Sequence, residues 1–458
     1  MDEQESVPFG LGLNYDSAMF QRNGSANDLK RTSDSARSLD LIFGIFLESG
    51  WVVFWRSGQT TGTTPNFLHT GKLTMQQSGT LVQHFDVAIL GSGIAGGLMS
   101  CILARQGLKV VIIDTGTHSQ FALGESAIGE TTHMLRILAE RYDVPEIAHC
   151  SSLSDVRQYV TSGGIERNFG FVYHHKHKIQ NPNEVTQCNV SKFPFGAQRH
   201  YYRQNIDAYL IHSAIKYGAV AKQHTQVETV QLHTKGVTIA TDTGEKFEVA
   251  YVVDGSGYES VLARQFNLRE HPSRFKTNSR SLLTHALGVK PSDECTQPSS
   301  RHSRTLHHLF DGGLVWVSPF HDREYLTNPL CSIGVDFDSY RFPQPTALTP
   351  QQEWDRFLAQ FPSIAEQFAD AHPVRDWVST SRTQFSSTQT VGDRWCLMSH
   401  AAGAVDTLFS RGMSSTTQVV NSAAALILQA FKDGDFSAQR FEYLDRLNQT
   451  HLLNLNID

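Results

Sequence analysis

"DVAILGSGIAGG", residues 86–97, is the stretch on which the reading of this chain turns. An apolar run of strand length, "FDVAIL", empties into Gly91, Gly93 and Gly96, and the helical pattern "GIAGGLMSCILARQG" opens at once. Strand, tight turn and helix N-terminus in that order give a G-x-G-x-x-G spacing its meaning. Gly91 permits the turn, Gly93 lets the backbone approach a pyrophosphate, and Gly96 lets helix and strand pack closely. The phosphates then meet the positive end of the helix dipole. "LKVVIID" follows as a second strand ending at Asp114, about 20 residues beyond the glycines, where a carboxylate accepts ribose hydroxyls and repels a 2′-phosphate. At this point FAD and NAD both remain open.

The 458 residues exceed what one hydrophobic core organises, so two or more domains are expected. Charged residues make up 18% and the net charge is −6, which offers no basic stripe for nucleic acid and no polybasic membrane patch. Six cysteines, with no C-x-x-C pair, suggest neither zinc knuckle nor disulfide framework and point to a reducing, cytoplasmic compartment. "LDLIFGIFLESGWVVFW" near the N-terminus is too short and interrupted for a membrane span, and reads as a local helix or a poorly ordered extension. Residues 1–74 lack sustained periodicity, whereas Met75 begins a usual lead-in to a first strand and is the expected true start.

Further along, "FALGESAIGETTHMLRILAERY" places Gly124, Glu125 and Ser126 before an amphipathic helix. The G-x-S-x-x-G spacing is one residue too long for a nucleophile elbow, and no strand leads into it. "RQNIDAYLIHSAIKYG" is another amphipathic helix, with Arg203 at its start as an exposed cation or a cofactor contact. Residues 226–257 give three strand-like runs, an antiparallel meander that returns to the main sheet and ends in Asp254, Gly255 and Gly257. Such a loop belongs near the first one, outside the carboxyl ends of the strands. Residues 307–338, rich in aromatic and β-branched residues, read as paired strands of a second, substrate-facing sheet. The histidines at 174, 175, 177, 307 and 308 lack carboxylates or thiolates at ligand spacing, so no metal is expected. Near the C-terminus a strand, a small-residue loop and a long helix follow. Gly412 offers backbone N–H groups to a flavin edge or an anion.

In this order the segments resemble an FAD-dependent monooxygenase-type fold, and more narrowly the flavin-dependent, tryptophan-type halogenases, over roughly residues 84–450. The resemblance rests on the glycine loop with Asp114, the "GES" at 124–126, Arg203 with Asp207, the "DGSG" at 254–257 and "HAAGAVDTLFSRGM" at 400–413. It implies FAD rather than NAD, and an α/β fold: an FAD-binding Rossmann-like domain of the glutathione-reductase type with a parallel sheet, plus an antiparallel substrate-domain sheet. The corresponding division is an extension at 1–74, an FAD-binding domain from 75–270 and 385–435, a substrate sheet at 271–384 and a helical segment at 436–458. Carried over residue by residue, the cofactor contacts are Gly91, Ser92, Gly93, Ile94, Ala95, Gly96, Asp114, Thr115, Ser126, Arg203, Asp254, Gly255, Gly257, His400, Ala401, Gly403, Gly412 and Met413. Glu125, Trp316 and Pro319 are the catalytic candidates.

Three departures qualify the narrower resemblance. The family's W-x-W-x-I-P reads "LVWVSP" here, with Leu314 for the first Trp and Ser318 for Ile, so that Trp316 and Pro319 remain. A family lysine that carries or orients the oxidised halide is expected within "YVTSGGIERNFGF"; Thr161 or its neighbours stand there, and Arg167 follows. His400 stands where many related flavoproteins have Asp. The chain also ends 46 residues after Gly412, earlier than the resemblance leads one to expect. The implied activity is oxidation of an electron-rich small molecule with O₂, a halide as co-substrate and reduced flavin from a separate reductase. Hydroxylation, a prenyl-chain or lipid reductase of the same superfamily, and a non-catalytic flavoprotein stay open as alternatives.

Overall fold

A computed structural model describes residues 42–46, 52–56, 82–166, 168–190, 198–291, 304–321, 326–405, 408 and 410–454. The chain divides into two units, residues 1–77 and 78–458. In the first, Ile42–Phe46 pairs antiparallel with Val52–Arg56, so the apolar run near the N-terminus forms strands where the sequence suggests a local helix or a poorly ordered extension. Its aromatic and β-branched residues, Phe43, Val52, Val53, Phe54 and Trp55, favour a pleated backbone over a helical one. Met75 lies outside the described residues.

The first sheet of the larger unit is built around Val82–Leu90. This strand pairs parallel with Val110–Ile113 on one side and Lys246–Asp254 on the other. Val220–Lys222 and Trp395–Leu397 extend the parallel pairing at its flanks. Val87–Leu90 and Val110–Ile113 are buried throughout, as strands covered on both faces must be. Helices Ile94–Arg105, Arg203–Lys216 and Arg411–Asp433 pack on one face. The same sheet continues beyond Lys246–Asp254 into the meander, in which Val227–His233, Gly236–Thr241 and Lys246–Asp254 run antiparallel in turn.

A second sheet follows the order His372–Pro373, Ser279–Leu287, Thr327–Asp338, Gly313–His321, Arg304–Phe310, Asn168–His174, Val185–Asn189. All neighbours are antiparallel except Arg304–Phe310 with Asn168–His174. The last two strands come from inside the stretch that the sequence reading gives to the FAD-binding domain. The chain crosses to the second sheet at residue 168 and returns by 198. A three-stranded antiparallel sheet, Ser126–Ala127, Gln198–His200 and Gly164–Glu166, marks that crossing.

Strand alternation gives the second sheet two unlike faces. Val172, Leu306, Val315, Val317, Ile333 and Val335 pack against Trp354, Phe357 and Ile364 of helices Pro350–Leu358 and Pro362–Gln367. The opposite face carries Phe171, His307, Trp316 and Gly334 in one cross-strand row. Gly334 makes room for the Trp316 ring, since a methyl group there would lie 2.2 Å from it.

His174 Nε2 lies 2.9 Å from His308 Nδ1, and His308 Nε2 2.6 Å from Gln367 Oε1, all within the second sheet's core. Burial pulls the His174 pKa down from 6.5 to about 4. Between those pH values the unfolded chain binds the proton and the folded one does not, so stability falls as pH drops through this window and no further below it. The expected loss from this group is at most on the order of 3 kcal/mol. Urea unfolding of His174→Gln at a series of pH values should show a shallower decline between pH 6.5 and 4 than the parent chain.

Candidate cofactor and substrate site

The glycine loop is shaped by backbone crowding. Gly91 has φ +86°, and a methyl group on it would lie 2.7 Å from Ser256 Cα; one on Gly96 would lie 2.0 Å from the Gly91 carbonyl oxygen. Above Gly93 the surface is open, with no atom nearer such a methyl than Arg203 Nη2 at 3.8 Å. The helix that starts at Ile94 has no side-chain cap and no acidic residue in its first turn. Its leading N–H groups and positive dipole are therefore available to phosphate oxygens. Asp114, half-buried at the end of the second strand, draws this loop in. Its Oδ2 accepts from the Ser92 N–H (2.5 Å) and hydroxyl (2.6 Å), and its Oδ1 from the Gly116 N–H (2.7 Å). The donors and shape fit a dinucleotide with free ribose hydroxyls. Thr115, beside Asp114, is exposed.

Several predicted contacts shape the loops. Asp254 is wholly buried and accepts from the Ser256 N–H and hydroxyl, the Ser260 hydroxyl and the Leu262 N–H, so its carboxylate folds the "DGSG" turn. Arg203 is spent in the same way. It forms a bidentate pair with Asp207 (2.9 and 2.7 Å) and donates to the Leu123 and Gly124 carbonyls. Ala401, Gly403 and Met413 are buried by their own neighbours; a methyl on Gly403 would lie 2.6 Å from the Phe385 carbonyl oxygen. Gly255 and Gly257 remain partly accessible beside Gly91.

Across the cleft, helix Arg411–Asp433 begins at Ser410, which has φ +52° and leaves that helix without a side-chain cap or an acidic first turn. Gly412 is required by His400, whose Nε2 would lie 2.9 Å from a methyl group there. His400 is exposed. Sequence reasoning missed the residue that joins these loops. Arg269 Nη1 donates to the Ala401 carbonyl (2.7 Å) and the Ser387 hydroxyl (2.9 Å), Nη2 donates to the Tyr258 carbonyl (2.7 Å), and the guanidinium covers Phe385. A single basic residue between turns carries no spacing signal that would have marked it.

Glu125 reaches from the first module to the second sheet. Its Oε1 lies 2.9 Å from Nε2 of His285, and both side chains are buried. Phe121, Tyr202 and Phe320 ring His285 at centroid distances of 5.2, 5.6 and 5.4 Å, and Arg375 covers Phe121. His285 sits in "SLLTHAL", a histidine inside an apolar strand, which was a usable signal. Ser126 is half-buried on the short strand opposite His200.

Pro319 and Trp316 lie on one strand of that sheet, both half-buried. The Pro319 carbonyl accepts from His200 Nδ1 at 2.8 Å. His200 Nε2 lies 2.6 Å from the Thr305 hydroxyl, which also bonds Glu166 Oε1, and the Gln198 amide bridges Glu166 Oε2 to the Gly129 N–H. A carbonyl only accepts, so Nδ1 holds a proton. The one hydroxyl proton of Thr305 serves one of its two neighbours. In the segment where the resemblance expects a lysine, Thr161 is exposed, Glu166 is buried, and Arg167 lies outside the described residues.

Comparison with known proteins agrees with this geometry. The FAD binding domain family FAD_binding_3 matches residues 84–323. The chain is 49% identical over 380 residues to monodechloroaminopyrrolnitrin halogenase PrnC of Pseudomonas fluorescens, covering 82% of this chain and 67% of that one. It is 41% identical over 373 residues to tetracycline 7-halogenase of Kitasatospora aureofaciens, covering 80% and 67%. Among solved structures, halogenase PltM in complex with phloroglucinol and FAD superposes with a TM-score of 0.75 at 34% identity, over 79% of this chain and 73% of that one.

Two substitutions probe the cofactor cleft. Gly96→Ala should give protein that purifies without visible flavin absorbance, because the added methyl cannot coexist with the Gly91 carbonyl. Arg269→Met should retain FAD only weakly and should lower unfolding stability by about 1.5–3 kcal/mol, the usual worth of charged hydrogen bonds, as read by urea titration.

Proposed function

Because this chain belongs to the flavin-dependent halogenases, we propose that it places a halogen on an electron-rich aromatic small molecule. Membership makes it an FAD-dependent oxidoreductase, and flavin halogenases act on small molecules with halide, O₂ and a partner flavin reductase. The similar proteins are halogenases, which does not favour a prenyl-chain or lipid reductase. Among the described residues no helix is long and apolar enough to cross a membrane. Free Cys101, Cys150, Cys188, Cys331 and Cys396, together with the need for a reductase, support a reducing, cytoplasmic setting.

The observation that carries the substrate reading is the exposed face of the second sheet. Phe169, Phe171, Tyr173 and Trp316 are half-buried there, a wall onto which a flat ring can stack, and the Glu125–His285 pair belongs to the same face. In this reading residues 91–96 hold pyrophosphate, Asp114 and Thr115 the adenosine ribose, and Gly255, Gly257 and His400 border the remainder of the cofactor. Backbone N–H groups of Gly412 and Met413 face the flavin edge or the halide. Bound FAD, once reduced, supplies the two electrons that activate O₂. The aromatic wall excludes water from the oxidising species. Glu125, oriented by His285, takes the proton that leaves the ring carbon as halogen replaces it, while the C–H electron pair returns to the ring.

A second reading, hydroxylation without halide, draws on one observation: the buried ionisable side chain described in residues 159–171 is a carboxylate, Glu166, and not an ammonium. Halide dependence separates the two. FAD-loaded protein supplied with a flavin reductase, O₂, bromide and resorcinol or indole should yield brominated product by mass spectrometry. Hydroxylated product formed equally without bromide would replace the halogenase reading. Glu125→Gln should keep its flavin absorbance and lose about 100-fold or more in kcat, in the range for a positioned general base.

A further inference from the structure

We infer that Arg375 gives the substrate face a carboxylate-binding subsite, its Nε and Nη2 holding the acid group of an aromatic substrate in two parallel hydrogen bonds. The inference rests on the reading of the second sheet's open face as the substrate wall. Arg375 comes from the segment that runs beside Ser279–Leu287. The Val374 N–H donates to the His285 carbonyl (2.9 Å), and the Thr284 hydroxyl to the Arg375 carbonyl (3.0 Å). Its side chain reaches the face that carries His285 and covers Phe121, 3.4 Å from the ring centroid, while Phe121 stands edge-on to His285. The guanidinium is thereby fixed in the cluster that orients Glu125.

Among the described residues no carbonyl, hydroxyl or carboxylate accepts from any of its three nitrogens, and of these only Nη1 is buried. Arg203, Arg269 and Arg280, by contrast, each donate to a carboxylate or to carbonyls. Burial lowers the Arg375 pKa, with the charge of Glu125 opposing, yet an arginine stays protonated. A half-buried charge held only by a ring is costly, and an incoming anion removes that cost. The two nitrogens that keep access to solvent, Nε and Nη2, form the guanidinium edge whose parallel N–H bonds a carboxylate matches. Arg203 shows the same edge in use, with Nε 2.9 Å and Nη2 2.7 Å from the two oxygens of Asp207. Phe121 and His285 separate Arg375 from Glu125. An acid group bound at Arg375 is thus kept from the Glu125 carboxylate, and the rest of its ring lies on the side of Glu125.

The experiment is calorimetric titration of FAD-loaded protein, without turnover, with meta-hydroxybenzoate, its uncharged amide, and phenol. The parent chain should bind the acid about tenfold or more tighter than the amide, the worth of a charged hydrogen-bonded pair. Arg375→Gln should bind acid and amide alike. Arg375→Lys, which keeps the charge but not the paired N–H edge, should keep a smaller preference. Loss of the Phe121 contact alone weakens acid and amide together, so their ratio reads the subsite and not the packing. Equal binding of acid and amide by the parent chain, with phenol bound, overturns the subsite and leaves the substrate wall standing, and so does an undiminished preference in Arg375→Gln. Absence of binding by all three probes to the parent chain overturns the wall and the subsite with it. Should Arg375→Gln fail to fold, an undiminished preference in Arg375→Lys overturns the inference.

Discussion

The organising constraint is the close approach of two backbones at the carboxyl ends of adjacent parallel strands. Gly91 and Ser256 meet at a separation that no side chain could share, and Gly96 lies against the Gly91 carbonyl. Hydrogen bonds then fix what sterics permit. The Gly255 N–H donates to the Leu90 carbonyl (2.8 Å), the Gly91 N–H to that of Ile113 (2.8 Å), and the Met398 N–H to that of Asp254 (2.8 Å). Three chain segments more than a hundred residues apart are thereby held at one edge of the sheet, with the uncapped Ile94 helix directed at the space between them. The second sheet matters to chemistry because of where this edge lies.

Between the two sheets, polar pairs are set among aromatic contacts such as Tyr202 with Phe320. Two buried histidine–carboxylate sets, Glu125 with His285 and Glu166 with His200 through Thr305, join the small bridging sheet to the substrate sheet. Each is costly to bury unpaired and modest once paired, so such links specify geometry more than they add stability. They fix the strand that carries Trp316 and Pro319 relative to the segment that carries Glu125. The hydrophobic work is done elsewhere, on the far face of the second sheet, where Phe310, Phe337, Phe357 and Phe361 form a continuous aromatic core.

The first sheet was legible because its information is local. A strand, three glycines and an aspartate lie within thirty residues, and the meander is marked by turns of its own. Long-range pairing was not. Glu125 and His285 are 160 residues apart, and no periodicity predicts that they meet. Asp254 shows a different limit: a carboxylate after a strand reads equally well as a ligand contact or as the folder of its own turn, and only burial decides between them. Asn168–His174 lies within residues 75–270 and joins the second sheet, since alternation reveals a strand but not the sheet it joins. The N-terminal hairpin was missed for a simpler reason, since a short apolar run fits either period and length alone did not arbitrate.

The parallel sheet is assembled from both ends of the unit, since Trp395–Leu397 pairs with Val252–Asp254 and the long helix Arg411–Asp433 covers the face that began at residue 82. During synthesis this imposes an order of events. A ribosome that has released the glycine loop, the meander and the entire second sheet has still not released the strand and helix that close the nucleotide cleft. The early strands must wait with an apolar face uncovered through more than a hundred further residues, a state in which nascent chains associate with whatever apolar surface they meet. Cofactor capture is then a late event, and the yield of active protein in a heterologous host depends on chaperone supply during that interval as much as on flavin supply after it.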